Sequence, residues 1–255
     1  MVRSRACEYQ AAPVGYAAQF VDYYLDSAHA EPAAGAGAVE VRALFGPARG
    51  CSVFEQRLLD LAGPVEERTD GDHDEILYVL QGSGEATIGG EAHMLEPGTG
   101  VFVARDTPWR VDSADGLRLL SVLVVDPLPA GTGHAVVPDG ERGSATAGRE
   151  FLLLARPELG CASVTQFVGH IPAGRAPDHF HRYDEVVYVL AGEGALHVGG
   201  ESAPLHAGAA VHLPARVVHC LENFGPGEMR VLGVFRPAGS PAEAYYPDGA
   251  AAAVA

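Results

Sequence analysis

A chain of 255 residues, 47% hydrophobic and 20% charged, is long enough for one large domain or two ordinary ones, each with its own core. A net charge of −16 without clustered Lys or Arg excludes nucleic acid as a partner. No window approaches the ~20 apolar residues of a membrane span, and no apolar run follows the arginines of MVRSRACEYQAAPVGY, so the sequence predicts a cytoplasmic protein with no membrane partner.

In chain order, an N-terminal stretch comes first, and within it AAQFVDYYLDSAHA (17–30) predicts a short helix or an arm packed on the body that follows. From Gly50 the chain repeats itself: DEILYVLQGSGEATIGGE at 74–91 matches DEVVYVLAGEGALHVGGE at 184–201, an offset of 110 that holds without a gap from Gly50/Gly160 to Val101/Val211. Along it Gln56 falls on Gln166, Glu75 on Glu185 and Tyr78 on Tyr188. Each copy reads as β structure. EILYVL and EVVYVL are rich in β-branched and aromatic residues, and the Gly-Gly pairs supply the positive φ that a tight hairpin needs. Turn signals about every 8–12 residues, with no long helical period, predict an all-β chain of two small antiparallel barrels. The expected organisation is an arm over 1–45, a first barrel over 46–128, a Gly/Pro-rich linker over 129–148 and a second barrel over 149–245, with a frayed tail after Asp248. Cys7, Cys51, Cys161 and Cys220 form no CxxC and read as buried free thiols.

The second copy concentrates the chemistry. Six of the eleven histidines lie between 179 and 219. His179 and His181, two apart on an extended segment, project from one face. Glu185 opens the next strand and His219 arrives from a later one. Three imidazoles and a carboxylate suit one first-row divalent metal, with Fe, Mn, Ni, Co and Zn all compatible. The offset carries these four positions back to Thr69, Gly71, Glu75 and Trp109, so the first copy is read as metal-free, either structural or binding something without a metal. The Trp109 indole is expected to close its core.

HFHRYDEVVYVLAGEG (179–194) resembles the first cupin motif, and GAAVHLPARVVHCLEN (208–223) resembles the second, with Arg216 where the family pattern has glycine. The resemblance spans roughly 50–125 and 160–236. It implies two tandem jelly-roll barrels (a bicupin), with His179, His181, Glu185 and His219 as metal ligands. Arg175, His197, His212 and Asn223 are candidate substrate contacts, whereas Cys220, next to His219 on its strand, is expected to face away from the metal. Similarity to the quercetin dioxygenase-like cupins implies an oxygenase acting on a small phenolic or enolisable carbonyl substrate, with Glu185 as ligand and general base. The overall layout is also similar to ureidoglycine aminohydrolases, which implies instead a non-redox isomerase, lyase or hydrolase; a non-catalytic ligand-binding bicupin is the third reading. A further homodimer stays open.

Overall fold

The computed structural model describes residues 23–252 apart from 34, 36, 70, 126, 139 and 146. Its regular elements are strands and three-residue 3-10 turns. The β-branched runs singled out in the sequence form Asp74–Ile88 and Asp184–Ala191. Each copy turns back at its Gly-Gly pair, with φ of 59° and 86° at Gly89 and Gly90 and of 60° and 84° at Gly199 and Gly200. These are values that only glycine adopts without strain.

The first copy builds one nine-stranded sheet. Its order is His134–Val137, Gly100–Val103, Asp74–Ile88, Trp109–Val124, Phe54–Leu61, Val39–Phe45 and Pro32–Ala33, with Val65–Arg68 on Trp109–Val124 and Glu91–Leu95 on Asp74–Ile88. The second copy builds a seven-stranded sheet, ordered Tyr24–Asp26, Ala209–Leu213, Asp184–Ala191, Met229–Arg236, Thr165–Ile171, Glu150–Leu153 and Glu141–Ser144. A four-stranded sheet of Gly174–Arg175, His219–Asn223, Glu193–Val198 and Glu201–His206 completes it.

The N-terminal stretch is an arm rather than a helix over its described part. Tyr24–Asp26 pairs antiparallel with Ala209–Leu213 of the second barrel, and Asp26 caps the following turn through Ala28 N–H at 2.9 Å. Residues 17–22 of the predicted segment lie outside the described residues. The stretch 129–148 carries two strands of its own: His134–Val137 joins the first barrel and Glu141–Ser144 the second. Over its described part the tail folds back through the turn at Tyr246–Gly249, and Ala252 N–H donates to Ala244 O at 2.9 Å.

Each barrel has its own apolar interior, and a third cluster lies between them. It includes Cys51 with Cys161, Ile76 with Val186, and Tyr78 with Tyr188, each pair related by the offset of 110. Packing at this junction explains the repeated tyrosine. Gln56 and Gln166 are buried there too, and Gln166 Nε2 donates across it to Leu77 O at 3.2 Å. Cys51, Cys161 and Cys220 are buried free thiols, and burial pushes Cys51 up to about 11. Cys7 lies outside the described residues.

Candidate metal centre

The isolated pairing of His179 with His219 brings two imidazoles side by side, their planes tilted by 54°. Each backbone N–H donates to the other's carbonyl, at 3.0 and 2.8 Å, and the ring centroids are 4.6 Å apart. His181, two residues on, projects from the same side, with its ring 5.0 Å from His179 and 5.2 Å from His219. The three offer ligand atoms within 4.8 Å of one another.

Which atoms they offer is fixed by second partners. His179 Nδ1 lies 2.9 Å from Pro177 O, His219 Nδ1 2.9 Å from Val217 O, and His181 Nδ1 2.7 Å from Glu243 O. A carbonyl only accepts, so every Nδ1 carries the proton and every Nε2 keeps its lone pair. Donation to a carbonyl also orients the ring and raises ligand basicity. His181 is further clamped by Tyr183, stacked at 4.6 Å and 8°, which in turn stacks on Phe235 at 4.0 Å.

Glu185 lines the same small cavity of about 80 Å3, with Arg149, Phe151, Phe167, Leu213 and Ala244 among its other walls. Its carboxylate falls outside the 4.8 Å grouping of the three imidazoles. Burial pushes the Glu185 carboxyl up to about 8. Burial, followed by the charge of His179, lowers His181 to about 3, and burial lowers His179 and His219 in the same direction. At neutral pH the imidazoles are therefore neutral, the state in which they bind a metal.

The structure divides the remaining sequence candidates. His212 lies beside Leu213 on one strand, so when Leu213 faces the cavity His212 faces away, toward the junction, 5.8 Å from the Phe45 ring. His197 bonds Glu222 at 2.8 Å, and Arg175 bonds Asp178 at 2.9 Å; both border a separate surface depression. Cys220 alternates with His219 and points the other way, its thiol donating to Ala176 O at 2.9 Å. Asn223 is buried and fully used by backbone: Nδ2 donates to Ile171 O and Gly227 O, and Oδ1 accepts from Gly225 N. These bonds pin the turn after the His219 strand. Asn223→Ala is therefore expected to cost about 2–4 kcal/mol in urea unfolding, and an unchanged stability would remove this structural assignment.

Sequence reasoning missed Arg149 and Tyr183. Arg149 is half-buried, donates to Leu221 O at 2.8 Å and lines the cavity. Its position before the strand Glu150–Leu153 carried no motif. Tyr183 lies between two ligand-type residues, and its aromatic character was the available signal. At the motif's departure from the family, Arg216 adopts φ 69° and its N–H donates to His181 O at 2.7 Å. The turn keeps the left-handed conformation that glycine favours. Arg216→Gly is expected to stabilise the chain by about 0.5–1 kcal/mol, strain relief exceeding glycine's entropic cost; a lower midpoint in thermal unfolding would count against this.

At the equivalent place in the first barrel there are no imidazoles. Glu75, 2% exposed, accepts from Arg57 Nη2 at 3.2 Å, from Arg68 Nη2 at 2.9 Å and from Ser121 Oγ at 2.7 Å. A second trio, Glu91, His93 and His134, sits at the surface, with the two Nε2 atoms 3.3 Å apart and the carboxylate exposed. Among the described residues, no helix is long and apolar enough to cross a membrane.

The fold and the histidine trio define a duplicated β-barrel protein with a buried histidine-rich centre in its second copy. The chain belongs to the cupin family: the cupin domain model matches twice, over residues 62–125 and 167–235. A curated protein of Streptomyces coelicolor described as uncharacterized is 39% identical over 57 residues, 22% of this chain; the match spans about half the length of that relative (53%). Among solved structures, the putative glyoxylate induced protein of Pseudomonas aeruginosa is similar with a TM-score of 0.68 at 19% identity, over 80% of this chain and 83% of that one. Protein Ylba from E. coli gives 0.69 at 16% identity, over 84% and 89%. A mutant of oxalate decarboxylase from Bacillus subtilis gives 0.65 at 12% identity, over 84% and 77%. These likenesses share the bicupin fold with this chain.

Proposed function

We propose that the C-terminal barrel is the active site of a metal-dependent oxygenase acting on a small enolisable carbonyl compound. The observation that carries the reading is the trio of imidazoles whose Nδ1 protons are all committed to carbonyls, leaving three Nε2 lone pairs convergent in one small cavity. That donor set fits a first-row divalent ion of the Fe, Mn, Ni, Co and Zn group. When bound, such an ion supplies a positive centre that acidifies a chelating substrate and, if redox-active, a path for electrons to O2.

The residues then divide the work. His179, His181 and His219 hold the ion, and Glu185 is the proposed fourth donor and general base. Burial favours the protonated form of Glu185 in the metal-free chain; the charge of a bound ion would favour the carboxylate, which could then accept the proton leaving the carbon next to the substrate carbonyl. Arg149 orients an anionic end of the substrate. Phe151, Phe167 and Leu213 keep water from the reacting atoms. A cavity of about 80 Å3 favours a small carbonyl compound over a polycyclic phenol. Likeness to an oxalate decarboxylase structure supports small-acid chemistry on this fold without assigning it here.

The test is oxygen uptake by the metal-loaded chain with a panel of 2-oxo acids, β-diketones and simple phenols. Uptake coupled to substrate loss, with the carbonyl compounds preferred, supports the reading. Substrate loss without oxygen uptake overturns it in favour of a non-redox lyase or hydrolase. No turnover of any member overturns the enzyme assignment.

A further inference from the structure

The first barrel holds a cavity larger than the second's, about 600 Å3, so Trp109 stands in its wall rather than closing it. The difference has a local cause. The pairing of Val41 with Leu59 repeats as Phe151 with Gly169, so a valine takes the place of a cavity-filling phenylalanine. Where the second barrel has Phe167, the first has Arg57.

Alternation along Phe54–Leu61 turns Glu55, Arg57, Leu59 and Leu61 to this cavity. Arg68 enters from Val65–Arg68, the strand paired with Trp109–Val124, its guanidinium 4.5 Å over the Trp109 ring, which fixes its plane. Both guanidinium groups converge on Glu75. The carboxylate is 2% exposed, whereas the Arg57 and Arg68 side chains are 20% and 42% exposed as they line the cavity. Among the described residues, two cations on one carboxylate leave one positive charge over, and the remaining charged lining residues, Arg49 and Glu55, offset each other in formal charge. The rest of the wall is apolar: Val39, Val41, Leu59, Leu61, Val65 and Leu119. A pocket with one surplus positive charge at one end and aliphatic walls, in a chain of net charge −16, selects for an organic anion of single charge.

We propose that the N-terminal barrel binds a small monocarboxylate without metal, its carboxylate against Arg57 and Arg68 and its apolar body along Val41, Leu59 and Leu61. The guanidinium pair stands beside Glu75 where the other barrel gathers imidazoles beside Glu185. The site is independent of the metal centre and of the reaction assigned to it.

The test is ligand-observed NMR on the full chain after EDTA treatment, with hexanoate and benzoate as probes and hexanamide and benzamide as their uncharged counterparts. The carboxylates are expected to bind and the amides not. Arg68→Gln is expected to weaken carboxylate binding roughly 10-fold or more, and Val41→Trp, which puts an indole where the apolar body would lie and leaves the charges in place, to weaken it at least as much. His179→Ala/His219→Ala should bind the probes as the unaltered chain does. Absence of carboxylate binding, equal binding of amides, wild-type binding by Val41→Trp or Arg68→Gln, or loss of binding in the histidine variant would each overturn the proposal.

Discussion

His179→Ala/His219→Ala is expected to purify without metal at the C-terminal centre, where the unaltered chain retains near one equivalent by elemental analysis. Removing two of three convergent imidazoles lowers affinity by roughly 100-fold or more, since loss of a ligand's supporting partner alone costs 10–100-fold. Turnover should vanish with the metal. The substitution also orphans the carbonyls of Pro177 and Val217, which lose their Nδ1 donors, so the metal-free variant should be less stable by about 1–3 kcal/mol for each. His93→Ala/His134→Ala, which empties the surface trio, separates any metal held there from metal at the buried site. Unchanged metal content in the 179/219 variant, measured in the His93→Ala/His134→Ala background, sinks the assignment of the C-terminal centre.

Glu185→Gln is expected to reduce kcat by about 10²–10⁴-fold, the usual contribution of a positioned general base, while preserving shape. Its pH signature is more specific. In metal-stripped protein the folded carboxyl titrates at about 8 against 4.5 unfolded, so between those values the folded state holds more protons. The stability that Glu185 contributes is therefore full below 4.5 and is lost as pH rises through 8, by an amount on the order of a few kcal/mol. The site histidines run the other way. Their folded values lie below 6.5, so their contribution is present above 6.5 and is lost as pH falls toward about 3, the value of His181. Urea unfolding between pH 6.5 and 8 isolates the carboxyl: the stripped wild type should weaken across this window and Glu185→Gln should not. Parallel curves for the two would mean that Glu185 is not the buried acid described here.

The duplication, the all-β class and the location of the chemistry were legible in the sequence because each is written in local pattern. Paired glycines demand positive φ, β-branched runs demand strands, and a spacing of two puts His179 and His181 on one face whatever surrounds them. The divergence of the first copy was equally plain, since Thr69, Gly71 and Trp109 replace the imidazoles.

What was not legible depends on atoms far apart in the chain. The roles of His197, His212 and Asn223 turn on which face of a strand meets the cavity, and Cys220, read correctly as facing away, shows the same alternation rule succeeding where the ligand beside it anchors the count. Arg149 enters the cavity by pairing that no motif announces. Sequence by itself determined the repeat, the strands and which copy holds the histidines, because these rest on backbone preference and short-range periodicity. Tertiary structure alone decided that Nδ1 of each histidine meets a carbonyl, that Glu185 is sealed from water, and that Arg57 and Arg68 converge on Glu75 beside an open cavity. Hydrogen-bond partners, burial and charge pairing are properties of the folded barrel, set by residues more than fifty apart in the chain in some cases, such as Glu243 O and His181.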